Sequence, residues 1–142
     1  MNTFSKIKID FIPHEAHRYS TVGDWFWDSD GVLNIKVSRL PNDPQGLMSL
    51  AIAIHELTEV GLCVQKGITQ EEVDKFDFAY EKTRPEGDDS EPGDHPEAPY
   101  RDQHCFATAA ERMFIAACGI PWEDYAKAIE SLPEVPDQSL TG

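Results

Sequence analysis

Residues 47–54, LMSLAIAI, are apolar on nearly every face and run without a break into His55-Glu56-Leu57-Thr58-Glu59. A helix that is apolar all round is a buried helix. This one therefore carries a histidine and two acids into the core. Burying a charge without a partner costs several kcal/mol. A cation that all three side chains can see is the simplest general answer. His55 and Glu59 are four residues apart and project from one helical face. Glu56 lies one step round, about 100° away, and stays near that face.

A metal ion needs more than two ligands. The next candidate is His104, in YRDQHCFATAAERMF, where His104, Thr108 and Glu111 share a helical face that Ile115 and Cys118 continue. With this helix packed beside the first, His55, Glu59 and His104 can converge. Two imidazoles and a carboxylate suit Zn²⁺ in a tetrahedral site with water in the fourth position, although ligand softness alone leaves other divalent ions open. Water in such a site has a pKa lowered toward ~7, with Glu56 placed to act as general base. Glu111 or Asp77 is the candidate to orient a ligand histidine from behind.

The rest of the chain reads as one α+β domain over residues 1–142. Lys6 to Phe11 alternate strictly, as do residues 32–38, VLNIKVS, and Asp28-Ser29-Asp30-Gly31 between strand-like runs is a hairpin signal. A small antiparallel sheet over 1–40 is expected. Three to four helices follow over 46–132. Gly67 is placed as a left-handed cap, and Thr69 and Glu72 have capping-box spacing. Residues 84–99, RPEGDDSEPGDHPEAP, form a long acidic loop of the functional or mobile kind, and the tail 133–142 reads as frayed.

Composition narrows the partners. Lys+Arg number 12 against 26 Asp+Glu, a formal charge of −14. That surface repels nucleic acid and anionic membranes, leaving an acidic mimic of DNA as the exception. No uninterrupted apolar run approaches the ~20 residues of a membrane span. The N-terminus lacks a signal peptide's apolar block, so a cytoplasmic protein is expected. Cys63, Cys105 and Cys118 form no CxxC pair, and an odd count in a reducing compartment predicts buried thiols. His14 and His17, His95, the Asp28/Asp30 pair and a nucleophilic Cys63 or Cys105 are weaker candidates. Each has a plain structural alternative as buried core, turn or surface.

His55 and Glu56 stand where the zincin metallopeptidases carry their H-E-x-x-H signature, and the chain resembles that family over roughly residues 22–66. Its gluzincin branch uses two His and one Glu. Here the same set is permuted, with Glu59 at the second histidine's place and His104 in place of the downstream Glu. The resemblance implies a sheet ahead of the active-site helix and an edge strand that holds an extended peptide or protein substrate, for which residues 32–38 are the candidate. The chain also resembles small bacteriophage and prophage proteins with the pattern HEL-x-E followed by PYR-x-x-H-x-FAT-x-x-ER, which implies a host-cytoplasmic setting.

Two other functions compete with a metallopeptidase. Glu56, Glu59, Glu71, Glu72 and Asp77 can instead hold Mg²⁺ or Mn²⁺ for a nucleotide phosphohydrolase, with Lys75, Lys82, Arg84 and Arg101 as the basic residues at hand. An acidic phage accessory protein that binds a host or virion protein is the non-enzymatic reading. The oligomeric state is open.

Overall fold

Alternating residues build a three-stranded sheet from β1 (Ile7–Ile12), β2 (Gly23–Trp27) and β3 (Leu33–Ser38), in the order β1-β3-β2. The computed structural model describes residues 2–85, 87, 88 and 90–135. β2 and β3 form the expected antiparallel hairpin around the Asp28–Gly31 turn, where Asp28 Oδ1 accepts from the Asp30 and Val32 amides. Those bonds explain Asp28 as a turn residue. β1 departs from the expectation. It joins β3 in parallel, Ile7 opposite Leu33 through Ile12 opposite Ser38. The residues between β1 and β2 return the chain to the far side of β3, so the sheet is mixed. β3 is thus the central strand rather than the edge that the resemblance implied, and the edges are β1 and β2.

Leu33, Ile35 and Val37 on β3 are fully buried, and their registered partners on β2 are Trp27, Trp25 and Gly23. That face packs on α1 (Leu47–Lys66). Asp43 accepts hydrogen bonds from the Met48 and Ser49 amides at the start of α1, where the helix dipole favours a carboxylate. Ser49 Oγ donates to the Ser38 carbonyl at 2.9 Å and ties the helix to the end of β3. Gly67 closes α1 with φ 80°, the left-handed cap its sequence predicts.

The 18-residue hydropathy window of α1 averages 1.6, long and apolar enough to cross a membrane by length and composition. This corrects the expectation that no such segment exists. Half of that window is buried inside the protein, and the helix carries buried His55, Glu56 and Glu59. α2 (Gln70–Thr83) follows, then a 3-10 turn at Pro92–Asp94 inside the acidic loop, α3 (Arg101–Ala117) and α4 (Trp122–Glu130). α3 lies along α1, and α4 packs on α3.

Two further expectations change. Of the cysteines only Cys63 is buried, whereas Cys105 is exposed and Cys118 intermediate. The start of the tail is not frayed. The Pro133 carbonyl accepts from His14 Nε2 at 2.7 Å, the Val135 amide donates to Ser20 Oγ, and Val135 is buried. Residues 136–142 lie outside the described residues.

The capping box at α2 is complete: Thr69 Oγ1 accepts from the Glu72 amide at 3.2 Å and Glu72 Oε2 accepts from the Thr69 amide at 3.1 Å. Thr69→Ala should therefore lower unfolding stability by ~1 kcal/mol. Urea denaturation measures it, and metal uptake should not change.

Candidate metal centre

The inner face of β2 meets α1 at two points. Trp25 donates its indole N–H to Glu59 Oε1 at 3.0 Å. Gly23, two residues earlier on the same face, leaves room for Glu56: a Cβ there would stand 2.5 Å from Glu56 Oε1 and 2.8 Å from Ile52 Cγ2. The alternation of a strand thus assigns one β2 residue to each glutamate of α1.

α3 supplies the remaining groups. His55 Nδ1 donates to Glu111 Oε1 at 2.8 Å, and the other Glu111 oxygen accepts from the Tyr125 hydroxyl of α4. With the proton held on Nδ1, the His55 Nε2 lone pair points at Glu59 Oε2 (3.2 Å) and His104 Nδ1 (3.2 Å). The third side of the triangle, His104 Nδ1 to Glu59 Oε2, is 3.0 Å. On the far side of the same imidazole, Nε2 lies 2.8 Å from Glu91 Oε2 and 3.4 Å from Asp94 Oδ1. Neither contact is aligned as a hydrogen bond, so this buried nitrogen lacks a directed partner among the described residues. Gly93 packs flat on the ring, where a Cβ would come within 2.4 Å of His104 Cγ.

His55, Glu59 and His104 form a buried group that could hold a metal ion. A tetrahedral ion with bonds of ~2.0 Å has ligand atoms ~3.3 Å apart. The observed edges of 3.0–3.2 Å match one face of that tetrahedron. Without a cation, three lone-pair atoms at this spacing need protons between them. The electrostatics say the same. Burial opposes charge on both histidines, yet Glu111 and Glu59 raise His55 well above its ordinary value, and Glu59 and Glu91 raise His104 to about 10. Burial would raise the Glu59 carboxyl, but the hydrogen bonds from His104 and His55 hold it down at about 2. The pocket attracts positive charge, and a divalent cation provides it in place of two protons.

Glu56 is pushed the other way. Burial, then the negative charge of Glu59, raises its pKa well above the ordinary range. It lines the same cleft of about 1110 Å³ as His55, Glu59, His104 and Glu111.

Asp77 does not bond to a histidine. It accepts from Tyr100 at 2.5 Å and Tyr19 at 3.3 Å, and touches the centre only through the edge of the Tyr100 ring on His104. Glu71 and Glu72 are exposed on the first turn of α2, apart from the buried carboxylates. His14 and His17 both bond to buried Ser38 Oγ at 2.8 Å, and His95 packs beside Phe76 and Tyr80. Gly23, Glu91, Gly93 and Tyr125 went unread in the sequence, and Trp25 reads there only as a core or rim residue. Each acts through a partner at least thirteen residues away or through a missing side chain, and neither leaves a local spacing signal.

Burial raises the Asp77 carboxyl from 3.8 to about 7, against the hydrogen bond from Tyr100. The folded protein then holds a proton that the unfolded chain releases between pH ~4 and ~7, so this residue subtracts stability as pH rises through that window. Asp77→Asn keeps an acceptor for Tyr100 and removes the buried charge. It should stabilise the protein by roughly 1–3 kcal/mol at pH 8 and by little at pH 4, read by urea unfolding at both values.

The chain matches no family model, no curated protein and no solved structure.

Proposed function

We propose that this protein is a small metal-dependent hydrolase of the peptidase type, with zinc as its ion. The observation that carries the reading is the triangle of His55 Nε2, Glu59 Oε2 and His104 Nδ1, with edges of 3.0–3.2 Å. When bound, the ion supplies Lewis acidity that polarises a carbonyl and lowers the pKa of water to ~7.

The chain's own residues do the rest. Glu111 keeps the His55 proton on Nδ1 and so keeps Nε2 free to ligate. Trp25 holds one Glu59 oxygen and leaves the other to face the histidines. Glu56, which lines the same cleft one step round α1 from His55, is placed to take a proton from water and return it to a leaving amine. β2 is the edge strand beside the centre, and strand addition is the natural way for an extended peptide to dock there. Thr21 occupies the Gly23 backbone, and Gln70 accepts from the Trp27 amide. These two caps confine an added strand to the stretch around Trp25.

A nucleotide phosphohydrolase fits less well. Among the described residues the only Lys or Arg lining the cleft are Lys82 and Arg84, and Arg84 is paired with Glu81 at 2.7 Å.

Metal analysis of the purified protein tests the reading. Near one zinc per chain is expected, falling to background in His55→Ala and in His104→Ala. Glu111→Gln should bind zinc ~10–100-fold more weakly. Glu56→Gln should keep the fold and the metal and lose hydrolysis of a peptide library by ~100-fold or more. No uptake after incubation with zinc removes the hydrolase reading. Full metal with undiminished hydrolysis in Glu56→Gln removes the proton-transfer role.

A further inference from the structure

The charge of −14 is not spread evenly. Among the described residues at least twelve of the 26 acidic side chains line the cleft, against two basic ones. Elsewhere the chain carries at most fourteen acids and ten bases, close to balance for its size. Two of the cleft acids, Asp24 and Asp74, share the Arg18 guanidinium, and Glu81 takes Arg84. Those pairs are structural and nearly neutral. The rims differ. Glu91 and Asp94 come from the loop before α3, with side chains 57% and 63% exposed. Glu130 and Glu134 come from the end of α4 and the segment after it, are exposed, and make no ion pair among the described residues.

We infer that the cleft selects a cationic peptide, one carrying Lys or Arg side chains on either side of the bond brought to the centre. The inference rests on the peptidase reading. A concave, low-dielectric wall lined by one sign of charge focuses the field and raises the local concentration of the opposite sign. One divalent ion at the floor offsets only part of that charge, and it lies with His55, Glu59 and His104 rather than at the rims. A peptide with acidic side chains meets repulsion from both rims. A lysine or arginine beside Glu130 or Glu134 gains a partner that the described residues do not provide.

Binding separates this inference from the reading beneath it. The probes are a fluorescent decapeptide with Lys and Arg at alternate positions and its counterpart with Glu at those positions, titrated by anisotropy into zinc-incubated Glu56→Gln protein. Zinc is measured in the same samples. The basic peptide should bind at least ~10-fold more tightly. Its affinity should drop several-fold from ~0.01 M to ~0.15 M salt, where the screening length falls from ~30 to ~8 Å. Asp88 lines the cleft from the same loop as Glu91 and Asp94 and belongs to neither group of candidate metal ligands. Asp88→Asn with Glu130→Gln and Glu134→Gln should remove most of the preference while leaving zinc content and circular dichroism unchanged. Equal affinity for the two peptides, or an undiminished preference in the triple variant, overturns the inference even when zinc is bound. Zinc-free protein that still prefers the basic peptide through those three residues supports the cleft's selectivity and overturns the metal reading alone.

Discussion

The Glu59 Oε2 atom is where the fold's polar constraints meet. It sits 3.2 Å from one imidazole nitrogen and 3.0 Å from another, on a side chain that is nearly inaccessible to solvent. A carboxylate in that position costs several kcal/mol unless its surroundings supply positive charge and donors. One strand, three of the helices and the acidic loop contribute to that supply or steady it. β2 brings the Trp25 indole, α1 brings His55, α3 brings His104 and Glu111, and α4 steadies Glu111 through Tyr125. The acidic loop closes on His104 through Glu91 and Gly93. The α1–α3 pairing therefore serves two ends, burying apolar surface and setting the three donor atoms at one spacing.

Glu56 and Glu59 lie on the same helix three residues apart, and their environments drive them in opposite directions. Glu59 is surrounded by donors and stays ionised down to about pH 2. Glu56 faces the Gly23 backbone and Ile52, with Glu59 as its nearest like charge, and its proton is retained far longer. Two carboxylates pushed apart in this way divide into a fixed negative charge and a group that holds its proton. The division does not come from α1 alone. It comes from what β2 presents at alternate positions: a large donor opposite one glutamate and no side chain opposite the other.

Much of this was legible because it is local. The i, i+4 spacing of His55 and Glu59, the apolar run before them, the Thr69 capping box and the Gly67 cap are each settled within a few residues. His104 and Glu111 were legible as a helical face, one that needed only the assumption that two helices pack. The parallel pairing of β1 was not legible. Alternation shows that residues 6–11 form a strand but carries no information on which neighbour it joins or in which direction. The same limit hid Trp25 and Glu91, whose roles depend on tertiary pairing. Asp77 shows a subtler failure: it is a buried carboxylate, as a residue behind a ligand histidine would be, yet two tyrosines, Tyr100 and Tyr19, reach it first.

The acidic loop lines the cleft, and its attachment explains how so irregular a segment can hold a position. Gly93 lies flat against the His104 ring because it has no side chain, and Glu91 reaches the ring's outer nitrogen. An imidazole is rigid, so the atom touched by the loop and the atom offered to Glu59 cannot move independently. A displacement of the loop that tilts the ring also moves Nδ1 out of a triangle whose edges are only 3.0–3.2 Å. Cover and centre are thus two contacts on one ring, and the ring sits between Tyr100 and His55, where edge-on packing resists the tilt.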